Sequence, residues 1–144
     1  MSRLLFVYGT LLSSVDHPMA RRLRRDADLL GPATFTGRLY RVAWYPGLVD
    51  GHDSEIVHGE LHRLHNPDRA FVWLDEFEGV TRGTSSVTEP DRYERVERPV
   101  RTARGSDVAW VYLYRGEVSH LVRVNEGRWT ARSDRSRDSV PPGD

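Results

Sequence analysis

Residues 4–8, Leu-Leu-Phe-Val-Tyr, are apolar at every position, and the run stops at Gly9. A strand with one face in water would alternate. An unbroken run predicts a strand covered on both faces, and so a sheet with material packed on each side. The rest of the chain fits that demand. Asp16-His17-Pro18 signals a helix start, with Met19, Leu23, Leu29 and Leu30 as its apolar positions and Gly31-Pro32 as its end. Residues 35–45 suit a strand ended by a Pro46-Gly47 turn, and residues 56–64 suit another after a polar loop at 50–55. Asn66-Pro67-Asp68 opens the clearest helix, which carries Phe71, Leu74 and Phe77 on one face and ends at Glu78 before Gly79. A strand follows at 93–102, where Pro99 argues for an edge or a bulge, and then a central strand at 108–114. The fold class is therefore α/β in the α+β sense: a small mixed sheet curled into a barrel with flanking helices. We expect one domain over residues 1–132 and a disordered charged tail at 133–144, where Val140 is the single apolar residue.

Composition narrows the chemistry. The 144 residues include no cysteine, which excludes disulfides, zinc ribbons, iron–sulfur clusters and a thiolate nucleophile. The 21 cationic residues are all arginine, which excludes a Schiff-base amine and a phosphate-binding lysine. Zero formal net charge gives no general attraction to nucleic acid or anionic lipid. The cluster of Arg21, Arg22, Arg24 and Arg25 is followed by Asp26 and Asp28 and reads as a solvated helix face. No apolar run approaches the ~20 residues of a membrane-spanning helix, and the N-terminal segment is too short for a secretory signal. The expectation is a cytoplasmic protein without nucleic-acid or membrane partners.

Three features could carry chemistry. Tyr8-Gly9-Thr10-Leu11 leaves the carboxyl end of a buried strand, where backbone N–H groups and the Thr10 hydroxyl could receive a carboxylate or an oxyanion; a simple turn gives the same letters. Leu74-Asp75-Glu76-Phe77-Glu78-Gly79 closes the best helix with three carboxylates. The negative end of the helix dipole and Asp75 one turn earlier both raise the energy of ionised Glu78, which suits a group that takes a proton and returns it. A solvated acid remains the alternative. His58, Glu60 and His62 share one face of a strand, as two-His, one-carboxylate metal ligands would, or as surface residues opposite an inward Val57, Gly59 and Leu61. HExxH and GxSxG motifs are absent.

Taken together and in order, these motifs resemble the gamma-glutamylcyclotransferase family, including its gamma-glutamylamine-cleaving and small bacterial members. The resemblance is carried by Tyr8-Gly9-Thr10-Leu11, Gly37-Arg38-Leu39-Tyr40, Tyr45-Pro46-Gly47-Leu48-Val49, Gly59-Glu60-Leu61, the helix-end motif, Tyr93-Glu94-Arg95-Val96, Trp110-Val111-Tyr112 and Gly127-Arg128-Trp129. It implies a barrel-like fold with a ligand cavity and a small gamma-glutamyl substrate. By the same resemblance, Tyr8, Gly9, Thr10 and Leu11 hold the substrate's amino-acid end, Glu78 is the acid/base, and Tyr93 closes over the pocket. No metal and no cofactor is implied. The product would be 5-oxoproline, formed by attack of the substrate's own alpha-amine on its gamma-carbonyl. Residues 80–92 form a longer connection than in the small bacterial members, which bears on the lid and on substrate choice. Two other readings stand beside it: a non-catalytic binding or sensor protein on the same scaffold, and a metal-dependent hydrolase built on His58, Glu60 and His62. The sequence leaves the leaving group and the oligomeric state open.

Overall fold

A computed structural model of the chain describes residues 2–9, 11–13, 15–52, 54–78 and 93–129. Thr10, the connection at 80–92 and the tail at 133–144, all named above, lie outside the described residues. Within them the chain forms β1 (Leu4–Val7), α1 (Pro18–Asp26), β2 (Ala27–Arg41), β3 (Pro46–Asp50), β4 (Ile56–Leu64), α2 (Pro67–Glu78), β5 (Tyr93–Thr102), β6 (Gly105–Tyr114) and β7 (Val122–Arg123).

The strands hydrogen-bond in the order β3-β2-β4-β1-β6-β5, and a further contact between β2 and β5 closes five of them into a barrel. β1 lies centrally, antiparallel to β4 and parallel to β6, as its doubly apolar run requires. Alternation along the barrel strands sorts the apolar residues into two cores. Phe6, Ala33, Phe35, Leu39, Val57, Leu61, Val111 and Leu113 belong to one, the inside of the barrel. Leu5, Val7, Leu64, Tyr112 and Tyr114 belong to the other, between the sheet and the helices, where Leu23 of α1 and Phe71, Trp73 and Leu74 of α2 meet them.

α2 starts and stops where its caps predict. Asn66 Oδ1 accepts from the Arg69 N–H at 3.2 Å, and Pro67 occupies the first turn. α1 also begins as expected: His17 is its N-cap, and Nδ1 accepts from the Met19 N–H at 3.0 Å. Its end differs. The helix stops at Asp26 rather than Leu30, and residues 27–36 pair with β4. Leu29 and Leu30, counted as helix-face positions, are exposed strand residues. Backbone pairing to a nine-residue partner strand outweighs the weak helical periodicity there. The Gly31 that was read as a helix stop instead takes φ +135° at a register shift in the β2–β4 pairing. Pro46-Gly47, read as a turn, opens β3, which pairs with the end of β2. β5 pairs with β6 along its length but meets β2 only at Thr34 and Arg101, so Pro99 lies on a nearly free edge, as proline prefers.

Candidate active site

The chain leaves β1 at Tyr8 and turns at once: the Leu12 N–H donates to the Gly9 carbonyl at 3.0 Å. Gly9 is buried, and a Cβ there would sit 2.6 Å from the Pro46 ring, so only glycine allows this loop to lie against the start of β3. Tyr93, the first residue of β5, donates its hydroxyl to the Pro46 carbonyl at 2.7 Å. Gly9 and Tyr93 therefore meet at one proline. Leu11 is buried in the core between sheet and helices, where its side chain packs.

Glu78 is the last residue of α2 and keeps part of its surface open to solvent, while the surrounding protein strips water from its carboxyl. Burial first, and the nearby Asp75 second, push its pKa up from the usual carboxylate range to about 8. The sequence anticipates the Asp75 contribution and the direction, but not that desolvation dominates. Tyr8 is held well above the ordinary phenol range by burial, by Tyr93 and by Glu78, with a backbone hydrogen bond at Leu48 acting the other way. Tyr8 thus lies within electrostatic reach of both Tyr93 and Glu78. The loop after β1, the start of β5 and the end of α2 converge.

Beneath Glu78 lies a network that sequence reading missed. Asp75 is 2% exposed and takes a two-pronged contact from Arg95, Nε to Oδ1 at 2.8 Å and Nη2 to Oδ2 at 3.2 Å. The Tyr112 hydroxyl donates to Asp75 Oδ1 at 2.6 Å, and the Tyr112 carbonyl accepts the Tyr8 hydroxyl at 2.7 Å. Burial, followed by the Asp75 carboxylate and then Glu78, holds the Tyr112 phenol protonated far above its ordinary range. Arg95 is packed between the rings of Phe71 and Trp110, its guanidinium carbon 3.9 and 4.6 Å from their centroids. Signals for this network existed: Asp75 stands three residues before Glu78 on the same helix, and Arg95 and Tyr112 both fall in quoted motifs. What the sequence could not supply is the β5–β6 register, which sets Arg95 opposite Tyr112.

His58, Glu60 and His62 do share one face of β4, since Glu60 pairs with Val7 and His62 with Leu5 of the helix-facing core. That face is not solvated throughout, however: His62 is fully buried, and its strand partner Leu5 lies in the core between sheet and helices. Glu60 accepts from the Ser13 N–H at 2.8 Å, the Ser13 hydroxyl at 2.6 Å and His62 Nε2 at 3.2 Å. It ties the far end of the first loop to β4. Among the described residues no group of three or more His, Asp or Glu is placed to hold a metal ion, and no helix is long and apolar enough to cross a membrane.

Residues 5–131 match the family described as gamma-glutamyl cyclotransferase, AIG2-like. A Vibrio cholerae protein named "Putative gamma-glutamylcyclotransferase" is 31% identical over 136 residues, covering 92% of this chain and 99% of that protein. The solution structure of ytfP from Escherichia coli is 32% identical with a TM-score of 0.57, covering 90% of this chain and 98% of its own. The crystal structure of YkqA from Bacillus subtilis, 20% identical with a TM-score of 0.64, matches all of this chain, which spans 44% of that longer protein and shows the fold alone. With the match spanning nearly the whole barrel and both helices, the chain belongs to the gamma-glutamyl cyclotransferase, AIG2-like family.

Proposed function

We propose that the protein is a cofactor-independent cyclotransferase that converts a gamma-glutamyl amine or gamma-glutamyl peptide into 5-oxoproline and a free amine, with Glu78 as its acid/base. A gamma-glutamyl compound carries its own nucleophile. Its alpha-amine forms a bond to the gamma-carbonyl carbon, the amide C–N bond breaks, and a five-membered lactam results. The attack is intramolecular, so holding the substrate folded can supply up to roughly 7–11 kcal/mol of the barrier. The remaining obstacle is the proton on the alpha-ammonium. Glu78 removes it and delivers it to the departing nitrogen, then passes on the second proton that the attacking nitrogen sheds as the lactam forms, so the amine leaves as an ammonium ion and no net proton is gained or lost.

The observation that carries this reading is the place of Glu78 at the end of α2, one turn after an Asp75 that Tyr112 joins to Tyr8, where burial and Asp75 push its pKa up to about 8. A carboxyl in that range exchanges protons with an amine at little cost in either direction, a contribution of about 100-fold to 10,000-fold. An ordinary solvated glutamate, several units more acidic, would be a poor partner for an ammonium group. In this scheme the amide groups of Gly9, Thr10 and Leu11 receive the alpha-carboxylate and Tyr93 closes the opposite side. The family membership supports the same assignment.

The test is incubation of the purified full chain with a panel of gamma-glutamyl amino acids, peptides and amines, followed by mass spectrometry. The expected result is 5-oxoproline and free amine in equal amounts from at least one compound. Release of glutamate in place of 5-oxoproline would indicate hydrolysis and overturn the proposal.

A further inference from the structure

A run of aromatic rings leads from the end of α2 to the start of β5. Phe77, the residue before it, lies 5.7 Å from the His17 ring. His17 stacks on Trp44 at 6.2 Å with planes 14° apart. Tyr45 meets Trp44 edge-on at 5.1 Å and lies 6.4 Å from Tyr93. Tyr93 in turn donates its hydroxyl to the Pro46 carbonyl, against whose ring Gly9 lies. The run thus links the residue before the proposed acid/base to the loop after β1.

Every ring of this run is buried or half-buried except Trp44, which is 57% exposed. Its ring nonetheless has two aromatic neighbours. The His17 ring on which it stacks is pinned by its capping bond to the Met19 N–H, and Tyr45 abuts its edge. The indole is therefore a solvent-facing apolar plate, set between the ring neighbours of Phe77 and Tyr93. A gamma-glutamyl substrate places its amine and carboxylate against the inner groups, and its one variable part, the group beyond the scissile amide, must extend outward past the rim.

We propose that Trp44, backed by His17, forms the subsite for the departing amine and selects gamma-glutamyl conjugates of aromatic or bulky apolar amines; this rests on the cyclotransferase reading above. A flat ring stacks on an indole face and removes apolar surface of both from water. A cationic amine is the competing occupant, since indole faces also attract cations. The carboxylate beside His17 in the chain, Asp16, forms an exposed ion pair with Arg21, and the pair as a whole carries no net charge that would favour a cationic guest.

The experiment compares gamma-glutamylphenylalanine, gamma-glutamylalanine and a gamma-glutamyl conjugate of a diamine. For wild type, Trp44→Ala and Trp44→Phe it measures kcat/KM for 5-oxoproline release. Calorimetric Kd values are measured for the same compounds on Glu78→Gln and on Glu78→Gln/Trp44→Ala, so binding is read without turnover. The phenylalanine conjugate is expected to be favoured over the alanine conjugate by about tenfold in both readouts. That ratio should fall to near one in Trp44→Ala and largely recover in Trp44→Phe. Equal affinity for the phenylalanine and alanine conjugates, preference for the diamine conjugate, or a ratio unmoved by Trp44→Ala overturns the subsite. Absence of 5-oxoproline from every conjugate, with the binding preference intact and dependent on Trp44, overturns the cyclisation and leaves the subsite standing.

Discussion

In the proposed reaction Glu78 is neutral at one moment and charged the next, and the residues around it set the ease of both. Burial and Asp75 raise its proton affinity to about 8, so below that pH most molecules hold the carboxyl protonated. We expect kcat/KM to rise with pH and level off near pH 8, because only ionised Glu78 can accept the ammonium proton. Asp75→Asn removes a neighbouring negative charge and leaves Arg95 uncompensated, and both effects lower the Glu78 pKa. The rising limb of the profile should therefore move to lower pH; an unmoved limb would show that Asp75 does not influence Glu78. A stability consequence follows with its own sign. A carboxyl with a raised folded-state pKa keeps its proton where the unfolded chain has released it, so its cost to stability grows from about pH 4.5 to about pH 8. Relative to Glu78→Gln, the wild type should lose on the order of 2–4 kcal/mol across that interval, measured by urea unfolding at both ends. Parallel stability curves would contradict it. The candidate acid was legible in the sequence through the helix-end motif, whereas Asp75's partners were not, since Arg95 and Tyr112 reach it only through strand pairing.

Among the elements, the loop after β1 is held from two sides. Gly9 touches Pro46, which Tyr93 grips through its carbonyl, and Ser13 is bound by Glu60. Gly9→Ala would drive a methyl group into the Pro46 ring and displace the start of β3. We expect a loss of about 1–3 kcal/mol in stability and at least about tenfold in kcat/KM. Unchanged stability and kcat/KM would show that the loop and β3 do not constrain each other. α2 was readable because it carries its own signals: the Asn66 cap, Pro67 and one apolar face. α1 and β2 were not separable at residues 27–30, because Leu29 and Leu30 fit a helix face locally and only the pairing with β4 makes them strand. β3 was missed for a related reason: Pro46-Gly47 has turn letters but lies in register with Arg41 and Tyr40.

At the scale of the whole molecule, the barrel is sealed unevenly. β2 and β4 pair over most of their length, but β2 and β5 share a single pair, Thr34 with Arg101, reinforced nearby by the bond from Arg98 to Asp50 at 3.0 Å. Hydrogen exchange should find amides of β2–β4 protected well beyond those at the β2–β5 seam; equal protection would mean the barrel opens as one unit. The curled mixed sheet was foreseeable from one doubly apolar strand and the order of elements, but its closure was not, since no residue announces that the last long strand but one returns to the second. That closure and the helix layer join the end of α2 to Tyr8 through Asp75 and Tyr112, and the central claim is that this meeting makes Glu78 the proton carrier. The most direct test takes one gamma-glutamyl substrate and compares wild type with Glu78→Gln for both 5-oxoproline release and ligand affinity. Loss of release by about 100-fold or more with affinity retained is the predicted result; undiminished release from the glutamine variant would contradict it.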